Sequence, residues 1–435
     1  MKRGAREVAA EVLGRVDADD AYAAAALSKA LGSEGDLSDA DRALATALVY
    51  GVLRVRPWLW TRLGAYLKNP AKLDSYTKSH LELGAYQLWA MSKIPAFAAV
   101  NEAVRLVRKK RGDGMASLTN AVLRKVSANR PEADEVAAAF VKGVPAWVRD
   151  ALVRAIGDEA ADAYLRDACQ APPICLRVRP GHDVEQVQRH IAGAFPDARI
   201  EPGVLPGALR VWAAGDPNAW PGATQRWVVQ EEGSQWIAAL LGATAGERVL
   251  DACAGRGNKS LAVADAMGTA RGLVCVDAYP NKLERLAQQF EEWGHERPGT
   301  EAVDWTLGDG GLEPSFDRIL VDAPCTGLGT LRRRPDLISR RRPESLAELA
   351  ETQKQVLKRV LPLLKPGGTL VYAVCSVTRE EGEDAIQSVL SAFPDVKLHP
   401  FDFAGLSAPE GFARLLPTRH GTDGYFVARM TRKMV

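Results

Sequence analysis

Cysteine is scarce in this chain, with six residues in 435. The six are scattered, and they do not show the spacing of metal ligands. So few thiols also cannot build the dense disulfide scaffold of a small secreted domain. The sequence therefore predicts a protein with reduced thiols in the cytoplasm and no bound metal.

Long hydrophobic runs are also missing. No uncharged apolar stretch reaches the roughly 20 residues that a membrane-spanning helix needs. The first residues, Met1 to Glu7, lead into an amphipathic pattern rather than an apolar signal core. We therefore expect no membrane partner, and a monomer is the default expectation.

A large net charge is absent too, but the total of +2 hides an asymmetry. Residues 1–145 carry 22 Lys and Arg against 16 Asp and Glu, whereas the remainder carries 34 against 38. This contrast suits a polyanion-binding domain on an enzyme, although a solvated basic face fits as well. The most basic stretch, 105–111, is predicted at a helix end just before Gly112. It either binds phosphate or complements the helix dipole.

The length predicts two or three domains. In residues 1–145 the apolar positions recur at helical spacing, which predicts an all-helical domain. Residues 146–240 show short strands around one helix, typical of a small α+β connector. In residues 241–435 short apolar runs alternate with helices, so we expect a Rossmann-like α/β domain with a doubly wound, mostly parallel sheet. Helix breaks are predicted at Pro57, Pro70, Pro95 and Pro131.

A strand, a small-residue turn and a helix start follow one another between Arg248 and Ser260. Glycines in the turn let the backbone approach a ligand, and the helix N-terminus offers N–H donors. The next strand ends at Asp277, which is placed to accept hydrogen bonds from ribose hydroxyls or simply to cap the following helix. The GxGxxG pattern of dinucleotide enzymes is absent because its last position is Ser260. This order favours a nucleotide-type cofactor other than NAD.

Two later strands both end in a cysteine. One runs from Phe316 to Asp322 and is followed by Ala-Pro-Cys325, and the other leads directly into Cys375. Functional groups of open α/β sheets gather at the carboxyl ends of strands, so the two thiols can face one pocket. A single buried cysteine is more often inert packing, but this pair favours chemistry.

A thiol suits methylation at carbon 5 of cytosine. That carbon is not nucleophilic enough to attack a methyl sulfonium until a thiolate has added to carbon 6, and the covalent adduct divides one hard step into two easier ones. An acid beside the base, such as Asp322, can hold its amine and ring nitrogen. A second thiol can assist release of the product.

The motif from Asp322 to Asp336 and the Val374-Cys375-Ser376 motif resemble the two cysteine motifs of the NOL/NOP/Sun family of RNA 5-cytosine methyltransferases. The helical N-terminus resembles the NusB-like RNA-binding domain that some members of this family carry. The similarity covers nearly the whole chain, including 229–235 and 423–426. It implies S-adenosylmethionine as cofactor and RNA, most of all small-subunit ribosomal RNA, as partner.

The resemblance also implies the roles of individual residues. Cys375 is expected to be the nucleophile, and Cys325 is expected to aid product release. The residues expected to line the cofactor site are Cys253, Ala254, Gly255, Arg256, Gly257, Asn258, Lys259, Asp277, Asp309 and Asp322.

The cofactor turn departs from the family pattern Cys-Ala-Ala-Pro-Gly-Gly-Lys at Arg256 and Asn258, which replace a proline and a glycine. Asparagine tolerates positive φ better than most residues, so we expect the turn to keep its path. Basic stretches at 332–334 and 340–342 flank the first cysteine motif and are predicted to hold RNA phosphates. The tryptophans of the helical region are predicted to be core rather than base-stacking residues: Trp58, Trp60 and Trp89.

Two other functions stay open. A non-catalytic RNA-binding ribosome-assembly factor would keep the fold with a decayed cofactor turn, and absence of S-adenosylmethionine binding would identify it. A DNA 5-cytosine methyltransferase shares the Pro-Cys motif but uses that cysteine as nucleophile. In that case Cys325→Ala, and not Cys375→Ala, would abolish a covalent adduct with the substrate.

Overall fold

The computed structural model describes residues 3–19, 21–32, 37–91, 93–212, 217, 220 and 222–434. In these ranges no helix combines the length and the apolar character needed to cross a membrane.

The first part of the described chain is helical. Its helices are α1 (Ala5–Ala18), α2 (Ala23–Gly32), α3 (Asp39–Gly64), α4 (Ser75–Ala90) and α5 (Ala96–Ala128). Their apolar stripes bury one core, in which the rings of Trp58 and Trp89 pack edge to face at 5.1 Å. The predicted all-helical fold and the core position of these two rings are confirmed.

Glycine and proline act differently in the long helices. Gly112, with φ 80°, interrupts α5 directly after the basic stretch, as predicted. Pro57 does not end α3, so that prediction is wrong. The helix loses one backbone hydrogen bond there, but Trp58 and Leu59 are buried immediately afterwards and their packing outweighs the loss.

The middle of the chain begins with α6 (Ala133–Gly143), α7 (Ala146–Ile156) and α8 (Asp158–Asp167). A four-stranded antiparallel sheet follows, with strand order β2-β3-β1-β4 and one helix after its first strand. Its elements are β1 (Ile174–Val178), α9 (Val184–Ala194), β2 (Arg199–Pro202), β3 (Ala208–Trp212) and β4 (Trp227–Val229). These strands and α9 form the predicted small α+β unit.

The last part of the chain alternates strands and helices. Its first half contains α10 (Glu232–Leu240), β5 (Val249–Asp251), α11 (Asn258–Met267), β6 (Leu273–Asp277), α12 (Pro280–Glu292), β7 (Gly299–Ala302), β8 (Phe316–Asp322) and α13 (Leu337–Arg340). Its second half contains α14 (Pro343–Val360), β9 (Leu364–Val374), α15 (Glu383–Leu390), β10 (Val396–Leu398), β11 (Phe401–Phe403), β12 (Leu406–Ala408), β13 (Phe412–Leu415), α16 (Pro417–His420) and β14 (Tyr425–Arg432).

The central sheet has the order β7-β6-β5-β8-β9-β14-β10, with β13 paired to β14. Strands β5 to β9 are parallel, whereas β14 runs antiparallel to β9. One core contains residues of α10, α11 and α12, and a second core contains residues of α14 and α15. The predicted doubly wound, mostly parallel α/β fold is confirmed. The strand order reverses at β5, which is where such sheets bind ligands.

Candidate active site

The two cysteine motifs meet at the carboxyl ends of β8 and β9. These strands are parallel neighbours, with Asp322 opposite Ala373. Because Cys325 lies three residues after the end of β8 and Cys375 directly after the end of β9, this register brings them together. The Sγ atoms of Cys325 and Cys375 lie 3.1 Å apart, and both residues are partly exposed.

Two glycines hold the backbone of Cys375. Gly329 N donates to the Cys375 carbonyl at 2.9 Å, and Gly424 N donates to the Gly329 carbonyl at 2.7 Å. A Cβ atom on Gly329 would lie 1.9 Å from the Gly424 carbonyl oxygen. Only glycine therefore fits at position 329, where the backbones of Gly329, Cys375 and Gly424 meet. This contact fixes the position of the second cysteine motif.

The surroundings of Cys325 favour its protonated form. The hydrogen bond to Cys375 raises the pKa of Cys325 well above its ordinary value, and burial raises it further. Cys325 therefore remains a thiol at neutral pH. The arrangement leaves Cys375 as the candidate nucleophile.

A cavity of about 290 Å³ lies beside this pair, at the reversal of the strand order. Three predicted cofactor residues line it, namely Cys253, Asp277 and Asp322. Asp277 follows the prediction for an acid at a strand end, and its carboxylate accepts from Tyr279 N at 3.0 Å and from Lys282 Nζ at 3.2 Å.

Three residues that line this cavity were not predicted from the sequence. Asp304, Trp305 and Thr306 face this cavity, whereas Asp309 lies outside it on an exposed turn and accepts from Gly311 N. The assignment of Asp309 to the cofactor site stays a prediction. Because β7 ends at Ala302, the chain reaches the cavity at Asp304. Asp304 closely follows a strand end, which is the pattern that predicted Asp277. All four residues of β7 are exposed, however, so its sequence has no apolar pattern from which to predict the strand.

A partly buried ion pair lies at the edge of the cavity. Lys259 Nζ contacts Asp322 Oδ2 at 2.7 Å. Behind it, the carboxylate of Asp251 accepts from Ser260 Oγ at 2.6 Å, and burial raises the pKa of Asp251 to about 6. Lys259 thus holds the carboxylate of Asp322 at the carboxyl end of β8.

The cofactor turn uses glycine at the points of positive φ. Gly255 and Gly257 have φ 56° and 82°, and Asn258 is the first residue of α11. Asn258 therefore does not adopt the positive φ that asparagine tolerates. Ala254, Gly257, Asn258 and Lys259 belong to the turn and helix start but do not line the 290 Å³ cavity.

Arg256 and Gly255 face a different space. They line a cleft of about 730 Å³ between the turn, α2 and α12. Their assignment to the cofactor site stays a prediction, and the turn places them beside helix α2 of the N-terminal part. The other residues that line this cleft are Ala24, Ala25, Ser28, Lys29, Lys282, Arg285 and Gln289.

Arginines in and directly after the first cysteine motif make ion pairs and hydrogen bonds within the protein. Arg332 Nε and Arg333 Nε contact the two carboxylate oxygens of Asp423 at 2.7 and 2.8 Å. Arg341 donates to the carbonyl oxygens of Cys325 and Thr326 at 3.0 and 2.8 Å. The prediction that Arg332 and Arg333 hold RNA phosphates is wrong, because Asp423 already occupies their guanidinium groups.

The basic stretch 105–111 is exposed but partly ion-paired. Arg105 contacts Glu102, Arg108 contacts Asp113 and Arg111 contacts Asp74, each at 2.7 or 2.8 Å. Such surface pairs are weak, so they do not prevent phosphate binding. Phosphate binding by this stretch stays a prediction.

Two family models match the chain. The model described as 16S rRNA methyltransferase RsmB/F matches residues 238–431, and the model of the NusB family matches residues 3–128. The chain is 31% identical, over 99% of both lengths, to the probable ribosomal RNA small subunit methyltransferase B of Bacillus subtilis. It is 30% identical to the ribosomal RNA small subunit methyltransferase B of Shewanella oneidensis, covering 91% of this chain and 92% of that protein.

Solved structures agree with this fold. The crystal structure of PH0851 matches with a TM-score of 0.80 at 21% identity, covering 99% of this chain and 100% of that one. A methyltransferase homolog from Pyrococcus horikoshii matches with a TM-score of 0.54 at 26% identity, covering 66% of this chain and 94% of that one.

These findings confirm the family resemblance, the NusB-like N-terminal domain and S-adenosylmethionine as the cofactor. The cofactor's reactive group is a methyl sulfonium, and the cavity beside the thiols offers strand-end carboxylates suited to its ribose. The chain therefore belongs to the family of the RsmB/F methyltransferases, whose members include proteins named ribosomal RNA small subunit methyltransferase B.

Proposed function

We propose that this protein transfers a methyl group from S-adenosylmethionine to carbon 5 of a cytosine in small-subunit ribosomal RNA, through a covalent bond between Cys375 and carbon 6. The observation that carries the proposal is the contact of two thiols at 3.1 Å beside the cofactor cavity. The names of the relatives support ribosomal RNA as the substrate class.

The residues of the cavity fit the cofactor. Asp277, at the end of β6, would accept hydrogen bonds from ribose hydroxyls, and Asp304 would accept from the amine of the adenine ring. The side-chain and backbone hydrogen bonds from Thr306 lower the pKa of Asp304, which keeps it an acceptor at neutral pH. Trp305 is held by its bond from Nε1 to the Ala252 carbonyl at 2.6 Å. Bound S-adenosylmethionine supplies an electrophilic methyl group next to the thiols.

The thiolate of Cys375 adds to carbon 6 of the cytosine, and the electron pair of the 5,6 double bond makes carbon 5 nucleophilic. Asp322, with Lys259 paired to it, holds the amine and ring nitrogen of the base during this step. Carbon 5 takes the methyl group as the methyl–sulfonium bond breaks and S-adenosylhomocysteine leaves, and carbon 5 then loses its proton to water. The carbon–sulfur bond breaks, the double bond returns, and Cys375 leaves as a thiolate. Cys325, still a thiol, donates a hydrogen bond to the departing sulfur and so assists release.

The cleft between α2 and α12 supports an RNA partner. Lys282, Arg285 and Gln289 follow the i, i+3, i+7 spacing of one helix face, and Lys29 faces them from α2 with Arg256 alongside. Among the described residues, neither Arg256, Lys29 nor Arg285 has an ion-pair partner within 4.0 Å. Four cations around one cleft form an electrostatic site for a phosphate backbone.

The two alternative functions require different chemistry of Cys325 and Cys375. A non-catalytic assembly factor needs neither thiol, and the contact of Cys325 with Cys375 argues against it. A DNA methyltransferase that attacks through Cys325 needs that group as the thiolate, whereas its environment keeps it protonated.

The test is methyl transfer from labelled S-adenosylmethionine to unmodified small-subunit ribosomal RNA. We expect label in 5-methylcytosine with the wild type and none with Cys375→Ala. Cys169→Ala is the matched control, because Cys169 is a half-buried thiol that packs among α6, α7 and α8. Transfer to another atom of the RNA, or full activity in Cys375→Ala, would refute the proposal.

A further inference from the structure

Glu381 is a fully buried carboxylate directly behind the two cysteines. It lies on the segment between β9 and α15, six residues after Cys375. No arginine, lysine or histidine in the described part of the chain approaches its carboxylate within ion-pairing distance. A buried charge without a counter-ion is costly, so its hydrogen-bond partners decide what it does.

Four donors surround this carboxylate. Oε1 accepts from Thr326 N at 2.7 Å and from Gln353 Nε2 at 3.1 Å. Oε2 accepts from the hydroxyls of Thr326 and Thr378 at 2.5 and 3.2 Å. With two bonds on each oxygen, the buried acid is satisfied entirely by neutral groups.

The donors belong to both cysteine motifs. Thr326 follows Cys325 directly, and Thr378 comes three residues after Cys375. The hydroxyl of Thr326 also lies 3.4 Å from that of Ser376, the residue after Cys375. Gln353, on α14, donates in addition to the carbonyl of Pro324, the residue before Cys325. A single carboxylate therefore ties the backbone that carries one thiol to the backbone that carries the other.

We propose that Glu381 is a positioning residue that holds the Cys325 thiol against Cys375 for the release step of methyl transfer. It touches neither thiol itself and acts through Thr326, Thr378 and Gln353. Its negative charge also contributes to the raised pKa of Cys325, after the larger effects of the Cys375 hydrogen bond and burial. This inference rests on the proposed function, because it assigns a step within that reaction.

The substitution Glu381→Gln keeps the shape but turns one acceptor oxygen into a donor. If the amide faces Thr326 N and Gln353 Nε2, both of those bonds are lost. If it faces the hydroxyls, Thr326 and Thr378 must turn from donors into acceptors, and a neutral amide replaces the carboxylate in either case. A displacement of about 1 Å in a reacting group costs up to roughly 100-fold in rate. We expect kcat to fall about tenfold or more, with the KM for S-adenosylmethionine unchanged, because Glu381 does not line the cofactor cavity.

The decisive readout is the covalent complex. With Cys325 no longer in place, the adduct of Cys375 with RNA forms but decays slowly, so denaturing gels show an RNA–protein band in Glu381→Gln that the wild type lacks. Glu383→Gln is the matched control. Glu383 is also buried and lies two residues away, but its carboxylate pairs with Arg414 and contacts neither cysteine motif.

Thr326→Val provides a second variant if Glu381→Gln does not fold. It removes the hydroxyl bond to Oε2 and the 3.4 Å contact with the Ser376 hydroxyl but keeps the backbone N–H bond, so a weaker accumulation of the same band is expected. Wild-type kcat and no covalent band in either folded variant would overturn the proposal. A wild type that makes no 5-methylcytosine would instead refute the proposed function, which the methyl-transfer assay detects separately.

Discussion

At the scale of single residues, Asp251 makes the stability of the protein depend on pH. Its carboxyl is buried at the end of β5, and burial raises its pKa to about 6, above the ordinary value of roughly 3.9. The folded state therefore binds a proton between about pH 4 and 6 that the unfolded state does not bind. By linkage, this group stabilises the fold progressively as the pH falls through that window.

Asp251→Asn is expected to remove this contribution. Between pH 7 and 4.5 the free energy of unfolding of the wild type should shift toward greater stability, relative to the variant, by about 2 kcal/mol. Urea unfolding at the two pH values measures it, with exposed Glu313→Gln as the control. Parallel pH dependence in Asp251→Asn and the wild type would contradict the assignment.

Residues at the ends of buried strands could be predicted from the sequence. Cys325, Cys375 and Asp277 each follow an apolar run, and the structure places them at one edge of the sheet. Their chemical roles stay predictions. Asp304 and Glu381 could not be found in this way, because an exposed strand precedes the first and long-range hydrogen bonds define the second.

At the scale of elements, the close backbone contact between Gly329 and Gly424 fixes the position of the second cysteine motif. Gly329→Ala would place Cβ at 1.9 Å from a backbone oxygen and 2.8 Å from the Cys375 carbonyl, and backbone cannot give way as a flexible side chain does. We expect a loss of about 1 to 3 kcal/mol of stability and a large loss of methyl transfer. Thermal unfolding measures the first effect. Gly14→Ala is the control, because Gly14 lies in α1 without positive φ and a Cβ atom there would meet nothing within 4 Å.

Residues of the turn between β5 and α11 line two spaces: Cys253 lines the 290 Å³ cavity, and Gly255 and Arg256 line the cleft between α2 and α12. Arg256 faces the basic cleft and not the cofactor cavity, so Arg256→Ala should weaken RNA binding and reduce the slope of log K against log salt by about 1. Calorimetry should find unchanged affinity for S-adenosylmethionine. A weaker affinity for the cofactor with unchanged RNA binding would contradict this division.

The elements that the sequence predicted are the buried ones. Strands β5, β6, β8 and β9 have mostly apolar residues because both of their faces are covered. The edge strands β7, β10 and β13 are short and carry exposed or half-buried residues, so their pattern does not differ from that of a loop. Helix α3 continues past Pro57 because tertiary packing overrides the local preference.

At the scale of the whole molecule, the N-terminal helices contact the first cysteine motif. The Tyr22 ring lies against the guanidinium groups of Arg334 and Arg340, at 5.2 and 4.0 Å from the ring centre. Arg54 also donates to the carbonyl of Arg332 at 2.6 Å. We propose that the domains predicted at 1–145, 146–240 and 241–435 are coupled through this contact.

Tyr22→Ala should loosen that coupling. We expect the calorimetric transition of the helical domain to move to lower temperature, away from that of the methyltransferase domain, since the variant loses two cation–π contacts worth about 0.5 to 1 kcal/mol each. Phe97→Ala removes an equally large aromatic side chain that is 71% exposed, and it should leave the transitions in place. An unchanged profile in Tyr22→Ala would show that the contact does not couple the domains.

The measurement closest to the central claim is the identity of the covalently bound residue. Small-subunit ribosomal RNA containing 5-fluorocytosine traps the adduct after methyl transfer, because the fluorine cannot leave as the proton does. We predict that digestion and mass spectrometry place the nucleotide on the peptide containing Cys375, with the adduct present in Cys325→Ala and absent in Cys375→Ala. A nucleotide attached to Cys325, or no adduct in a protein that still binds S-adenosylmethionine and RNA, would contradict the account.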